Sequence, residues 1–165
     1  MRYLFFLSLL FVISCKEQKQ ATPSKGGVFT KKKVLVGVKI TSIAVNTFPL
    51  YGGSGEKWDA YAPFSSDPDI FLKIKWNDNE LYQSEVRDEC VFGTPVGFSN
   101  GLPLAVKVFD QPLLLEVFDE DGISNDDNMG YFTIRLLDQK NMKDIVLKNE
   151  RGDLSVSMAV EWIYE

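Results

Sequence analysis

Val117 to Gly130 reads V-F-D-E-D-G-I-S-N-D-D-N-M-G. Asp119, Glu120, Asp121, Asp126 and Asp127 fall within nine residues, with no Lys or Arg among them. Packed into one turn, such carboxylates repel each other by several kcal/mol, on the order expected for like charges a few ångströms apart, unless a cation sits between them. Calcium takes about six to eight oxygen ligands at roughly 2.4 Å, so this loop is a natural host. A solvated acidic loop that binds nothing is the alternative for any acidic run, and the spacing of these acids argues against it. An EF-hand fails on inspection. With Asp119 at its first position, Ser124 stands where Gly is needed and Gly130 where the bidentate Glu is needed.

On both sides of the loop the chain is apolar, L-L-L-E-V-F before it and Y-F-T-I-R-L after it, which predicts strand, loop, strand. The last strand is clearer still. Leu154, Val156, Met158, Val160 and Trp162 alternate with Ser155, Ser157, Ala159 and Glu161, one face dry and one wet. Val34, Val36, Val38 and Ile40 alternate in the same way, and Ile43 and Val45 continue after a one-residue phase change that predicts a bulge or bend. Further strands are expected at Ile70 to Trp76, Glu80 to Val86, Leu104 to Phe109, Leu113 to Phe118, Tyr131 to Leu137 and Ile145 to Leu147. That makes eight, with a long Gly/Pro-rich loop around Gly93 to Pro103 between the third and fourth. Short strands punctuated by Gly, Pro, Asn and Asp, with no helical periodicity and no internal repeat, predict an all-β sandwich.

The N-terminal residues belong to a different regime. Met1-Arg2 is followed by the nearly unbroken apolar run Tyr3 to Ile13. As helix those eleven residues would span roughly 17 Å against about 30 Å of bilayer hydrocarbon, which suits a secretory signal and not a membrane span. The run ends V-I-S-C, Val12 to Cys15, which resembles the bacterial lipobox, in which cleavage precedes a cysteine that is then lipidated. Residues 1–14 are thus expected to be a cleaved signal peptide. Residues 15–32 are then the lipidated Cys15 and a flexible, polar tether, and residues 33–165 the folded domain. The implied location is the bacterial cell envelope, anchored at the outer membrane. Removing residues 1–14 takes away Arg2 and no acid, so the formal charge moves from −5 to −6, which disfavours nucleic acid as a partner.

Histidine is absent. This excludes Ser-His-Asp and Cys-His catalysis and the histidine zinc sites. With Cys15 lipidated, Cys90 has no partner for an intrachain disulfide and reads as a small buried hydrophobe. Arg151-Gly152-Asp153 reads as a turn before the last strand and not as an adhesion tripeptide. Gly52 to Lys57 lacks the spacing of a phosphate loop.

The run from Leu113 to Leu136 resembles the sixth and seventh strands and third calcium loop of the C-two (C2) domain, the sandwich of synaptotagmins and protein kinase C. In that family a strand ends D-x-D, an Asp follows about six residues on, and a Gly begins the next strand. Asp119, Asp121, Asp127 and Gly130 fall on those positions. Trp58-Asp59 followed by S-D-P-D-I-F-L-K-I resembles the first calcium loop, onto which Asp59 and Asp69 carry over. That loop is longer than in typical members, so Asp67 can replace either. The closing R-G-D-L-S-V-S-M-A-V-E-W resembles the family's Gly-Leu strand, here last, which implies the second of the family's two permuted topologies. The family's N-P-x-W-N-E segment is missing, and its basic cluster is thin (Lys73, Lys75 and Lys107), so phosphoinositide recognition is not expected.

The resemblance implies an eight-stranded antiparallel Greek-key sandwich that binds calcium through Asp59, Asp67, Asp69, Asp119, Asp121 and Asp127. It further implies calcium-dependent contact with phospholipid or a protein partner, with Tyr61, Phe64 and Ile123 entering the membrane interface. Calcium would turn a strongly negative loop surface neutral or positive. A binding module is expected, not an enzyme. A purely structural calcium site in a sandwich that binds protein or glycan elsewhere is the second reading, and a metal-assisted hydrolase, lacking any identifiable nucleophile or second catalytic group, the third.

Overall fold

The computed structural model describes residues 32–53, 55–58, 67–107, 111–121 and 125–165. Residues 33–165 form one compact unit, built on two antiparallel sheets. One sheet centres on β1 (Leu35–Thr47) and β9 (Ser155–Tyr164), which pair along their whole lengths. β8 (Asp144–Lys148) adds to the far side of β9. The other edge of β1 takes two short pieces, β4 (Val96–Phe98) and β5 (Leu104–Val106). The second sheet runs β3 (Asn79–Gln83), β2 (Ile70–Trp76), β6 (Pro112–Asp119), β7 (Asp127–Arg135).

The alternation expected of the last strand holds from Val156 to Glu161: Val156, Met158 and Val160 are buried, Ser157 and Ala159 half-buried, and Glu161 exposed. It fails at the two ends, where Ser155, expected on the wet face, is buried and Trp162, expected on the dry one, is half-buried. The expected bulge in the first strand is also present: the register of β1 against β9 slips between Ile40 and Ser42, so that Val38 and Ile40 before it and Ile43 and Val45 after it all face the core. Thr41, the extra residue, donates its hydroxyl to the Ala159 carbonyl at 3.2 Å.

The described residues hold nine strands where eight were expected, and the difference has one cause. β4 and β5 run consecutively along one edge of β1, opposite Val45–Ile43 and then Ile40–Val38. They fill a single strand position, interrupted where residues 99–103 bow out. Tyr82 on β3 steadies that bow by donating its hydroxyl to the Asn100 carbonyl at 2.9 Å. Two strand ends also differ. Leu136 and Leu137, expected to continue β7, begin the 3-10 turn Leu136–Gln139. Ser84 to Val86 leave the β3 ladder, although Ser84 N–H still reaches the Leu72 carbonyl at 2.9 Å.

One register irregularity bears directly on function. Between β6 and β7, Val117 faces Gly130 but Phe118 faces Asn128, leaving Met129 as an extra residue whose side chain is buried. Gly130 has φ +146, and a Cβ built there would lie 2.6 Å from Leu154 Cδ2. Glycine is therefore required at the point where the bulge begins. Without the bulge Asp119 would face Asn128. With it, Asp119 faces Asp127.

Candidate functional site

Loops converge at one end of the sandwich. Phe48, just after β1, lines one small cleft with Asp67 and Pro68, just before β2, and with Phe92 from the β3–β4 connection. In the same region Cys90 N–H donates to the Pro68 carbonyl at 2.8 Å, and the Phe48 and Phe92 rings meet edge-on at 6.0 Å. β6 ends and β7 begins beside the start of β2, since Ile70 faces Asp119 and Asp119 faces Asp127. Sheet pairing thus places Asp69, Asp119 and Asp127 on three neighbouring strand ends.

Asp119 is the most enclosed of the described acids, at 1 % exposure. Its Oδ1 accepts the Asp69 backbone N–H at 2.8 Å. The Asp69 carboxylate in turn accepts the Glu89 N–H at 2.6 Å, and the Asp69 carbonyl accepts Glu120 N–H at 2.8 Å. These three bonds tie the loop before β2 to the end of β6 and to the β3–β4 connection. Asp67 and Asp121 are half-buried, and Asp127 is exposed. Cys15, Asp59, Tyr61, Phe64 and Ile123 lie outside the described residues.

Among the described residues, no three acid, Cys or His side chains are gathered closely enough to hold a metal ion as they stand. The Asp119 and Asp69 carboxylates each accept a backbone amide, and a carboxylate has about four acceptor positions, so an amide bond and a cation can share one carboxylate. The donor chemistry fits calcium: every candidate ligand is a hard oxygen. Cys90, the nearby sulfur, is unsuited to a soft metal. Burial pushes its thiol pKa up, as do the neighbouring Asp69, Asp88 and Asp119 charges against the opposing effect of a backbone hydrogen bond. Its Sγ lies 3.0 Å from the Arg87 carbonyl, the geometry of a protonated donor.

Sequence reasoning missed two features of this pole. Asp88 and Glu89 join the acidic surface through the β3–β4 connection, and their adjacency in R-D-E-C was the available signal. Leu50, Tyr51, Val91 and Phe92 are exposed apolar residues beside the acids, with Tyr51, Val91 and Phe92 each more than half exposed. They come from two short loops without periodicity, so no pattern marked them.

The family model for the C2 domain matches residues 54–150, more than half of the chain. The chain belongs to the C2 domain family. C2 domains are in general calcium- and lipid-binding modules, and the two-sheet sandwich described above is their architecture. Among solved structures the chain is similar to an isolated C2 domain at 15 % identity, covering 76 % of this chain and 96 % of that one, with a TM-score of 0.45. It is similar to the calcium-bound pair of C2 domains, A and B, of extended synaptotagmin 2 at 19 % identity, 79 % and 47 % coverage, and a TM-score of 0.46. Human GIVD cytosolic phospholipase A2 matches at 12 % identity, 79 % of this chain, a TM-score of 0.46, and only 18 % of the enzyme's own length. No curated protein matches the chain.

Proposed function

We propose that this chain is a membrane-anchored C2 module whose loop pole binds calcium and, once loaded, contacts phospholipid headgroups. The observation that carries the reading is the placement of Asp69, Asp119 and Asp127 on three adjacent strand ends of a C2 sandwich. Asp69, Asp119, Asp121 and Asp127 would hold the ion, together with Asp67 and Asp59 from the first loop. Calcium supplies the positive charge that lets an acidic surface approach phosphate, and it bridges to the headgroup.

The apolar residues then contribute what charge cannot. Leu50, Tyr51, Val91 and Phe92 flank the acids, and Tyr61, Phe64 and Ile123 are expected beside them. Full burial of one such side chain contributes about 1.5–3 kcal/mol. Among the described residues, the site offers no evident nucleophile with a base beside it, which favours binding over catalysis. Cys15 would carry the lipid that holds the chain in the cell envelope at the outer membrane.

Co-sedimentation of the chain from Cys15 onward with phosphatidylcholine/phosphatidylserine vesicles tests the reading. Binding with calcium and release by chelator are expected. Calcium binding without any lipid binding overturns it in favour of the structural reading, which the hydrogen bonds from Asp69 N–H and Glu89 N–H to the acid side chains support: the carboxylates already stitch three loops together.

A further inference from the structure

We infer that two copies of this chain pair antiparallel along β8, the open edge of its sheet, independently of calcium and lipid. Among the described residues β8 pairs with β9 alone. Two hydrogen bonds show which of its backbone groups face that neighbour. Val160 N–H donates to the Lys143 carbonyl at 2.7 Å, and Asn149 N–H donates to the Leu154 carbonyl at 3.1 Å. In an antiparallel ladder successive residues turn their N–H and C=O groups to opposite sides. Lys143, Ile145, Leu147 and Asn149 therefore bond toward β9, and Asp144, Val146 and Lys148 turn theirs to the open edge. Those three N–H and three C=O groups meet no partner among the described residues. Sheet edges are usually blunted by bulges, prolines or inward-pointing charges. β8 has none of these: its register against β9 is unbroken and it reads D-I-V-L-K.

That edge is complementary to itself. About a two-fold axis at Val146, Asp144 of each copy faces Lys148 of the other, and Val146 faces Val146. All three are hydrogen-bonded positions, so every open N–H and C=O of the edge gains a partner. Asp144, Val146 and Lys148 are exposed on one face, Val146 by 57 %, and opposite charges directly across a ladder attract. Neither Asp144 nor Lys148 has an ion-pair partner among the described residues. On the other face, buried Ile145 meets the half-buried Leu147 of the second copy, which extends the apolar layer. A slip of one residue would set Asp144 against Leu147 and lose both matches. The other edges lack this symmetry. β4 and β5 are interrupted at residues 99–103, and β3 has uncharged ends and a register slip against β2. β7 ends in Asp127 and Arg135, but the bulge at Met129 breaks the register between them. Five paired residues per copy form an interface smaller than the roughly 1,200 Å² of stable complexes, which sets the dissociation constant on the order of 10⁻⁴ M.

The test is sedimentation equilibrium of the chain from Cys15 onward, reduced and in chelator, at concentrations spanning about tenfold either side of that constant. Wild type should pass from monomer to dimer. Asp144→Lys sets Lys against Lys in the dimer, and Lys148→Asp sets Asp against Asp, so each alone should weaken association by about tenfold or more. An equimolar mixture restores both opposite-charge pairs and should associate within about threefold of wild type. Both positions are exposed, so circular dichroism melts of the variants should match wild type. Amide exchange on wild type supplies a reading that needs no variant. The Val146 and Lys148 N–H groups should gain protection as concentration rises, while those of Ile145 and Leu147 stay protected throughout. A chain that remains monomeric at the highest concentration overturns the inference. A dimer that survives both charge swaps, or that protects β7 amides in place of Val146, places the interface elsewhere and overturns it equally. With chelator present, either failure leaves the calcium and lipid readings standing.

Discussion

Gly130→Ala perturbs the fold and the site through one atom. The residue sits at φ +146, a region that side-chain-bearing residues occupy at a cost of about 1–3 kcal/mol. The added Cβ would also stand 2.6 Å from Leu154 Cδ2, where Leu154 is fully buried between the two sheets and has little room to retreat. Overpacking of that kind costs about 1–3 kcal/mol. Together they predict a loss of about 3 kcal/mol, and for a domain of this size a fall in Tm of about 10 °C or more. Because the bulge at Met129 sets Asp127 opposite Asp119, relaxing it also weakens calcium binding. Thermal melting followed by circular dichroism, with and without calcium, measures both effects. A Gly130→Ala protein that melts within a degree of wild type and keeps its calcium response would refute the argument that this glycine sets the register of the site.

Three further outcomes are expected. Burial, followed by the charge of Glu85, raises the Tyr82 pKa above its ordinary value near 10, so the fold favours the neutral phenol. Its contribution is complete below about pH 10 and is lost as pH rises beyond it. Tyr82→Phe should therefore be about 1 kcal/mol less stable at pH 7, through the lost bond to Asn100, with the gap closing in alkaline denaturation series; a gap that widens above pH 10 contradicts this. Phe92→Ser should weaken calcium-dependent vesicle binding roughly fivefold, since about half of the ring is already buried and roughly 1 kcal/mol of transfer remains. Unchanged partitioning excludes Phe92 from the interface. Cys15→Ser should move the protein from the membrane to the soluble fraction, because each buried acyl methylene contributes about 0.8 kcal/mol; full retention on membranes removes the anchor assignment.

What was legible in the sequence follows from how local each signal is. The alternation of Val156 to Val160 and the phase change after Ile40 are written in consecutive residues, and both reappear as burial and register. The spacing of Asp119, Asp121 and Asp127 marked the loop, but the bulge that aligns Asp127 with Asp119 depends on Gly130 meeting Leu154, 24 positions away, and left no local pattern. β4 escaped because three residues, V-G-F, inside a Gly/Pro-rich stretch carry no period. Alternation also misleads at Phe71, which faces outward from β2 yet is buried: Phe118 stacks on it at 5.1 Å, and the Lys73 ammonium lies 5.3 Å from both rings. Glu89 reaches Asp69 only because the chain after β3 returns alongside the start of β2, a contact made in space.

Calorimetric titration of the chain from Cys15 onward with calcium tests the central claim most directly. Wild type should give a saturable binding heat with a dissociation constant at or below about 10⁻⁴–10⁻³ M, the range of extracytoplasmic calcium modules. Asp119→Asn combined with Asp127→Asn should give none. Both substitutions remove charge at nearly constant volume, and the side-chain amide oxygen introduced at position 119 can still accept the Asp69 N–H, so the fold should persist. A wild-type chain that shows no heat at millimolar calcium, or a double variant that binds as tightly as wild type, would contradict the account.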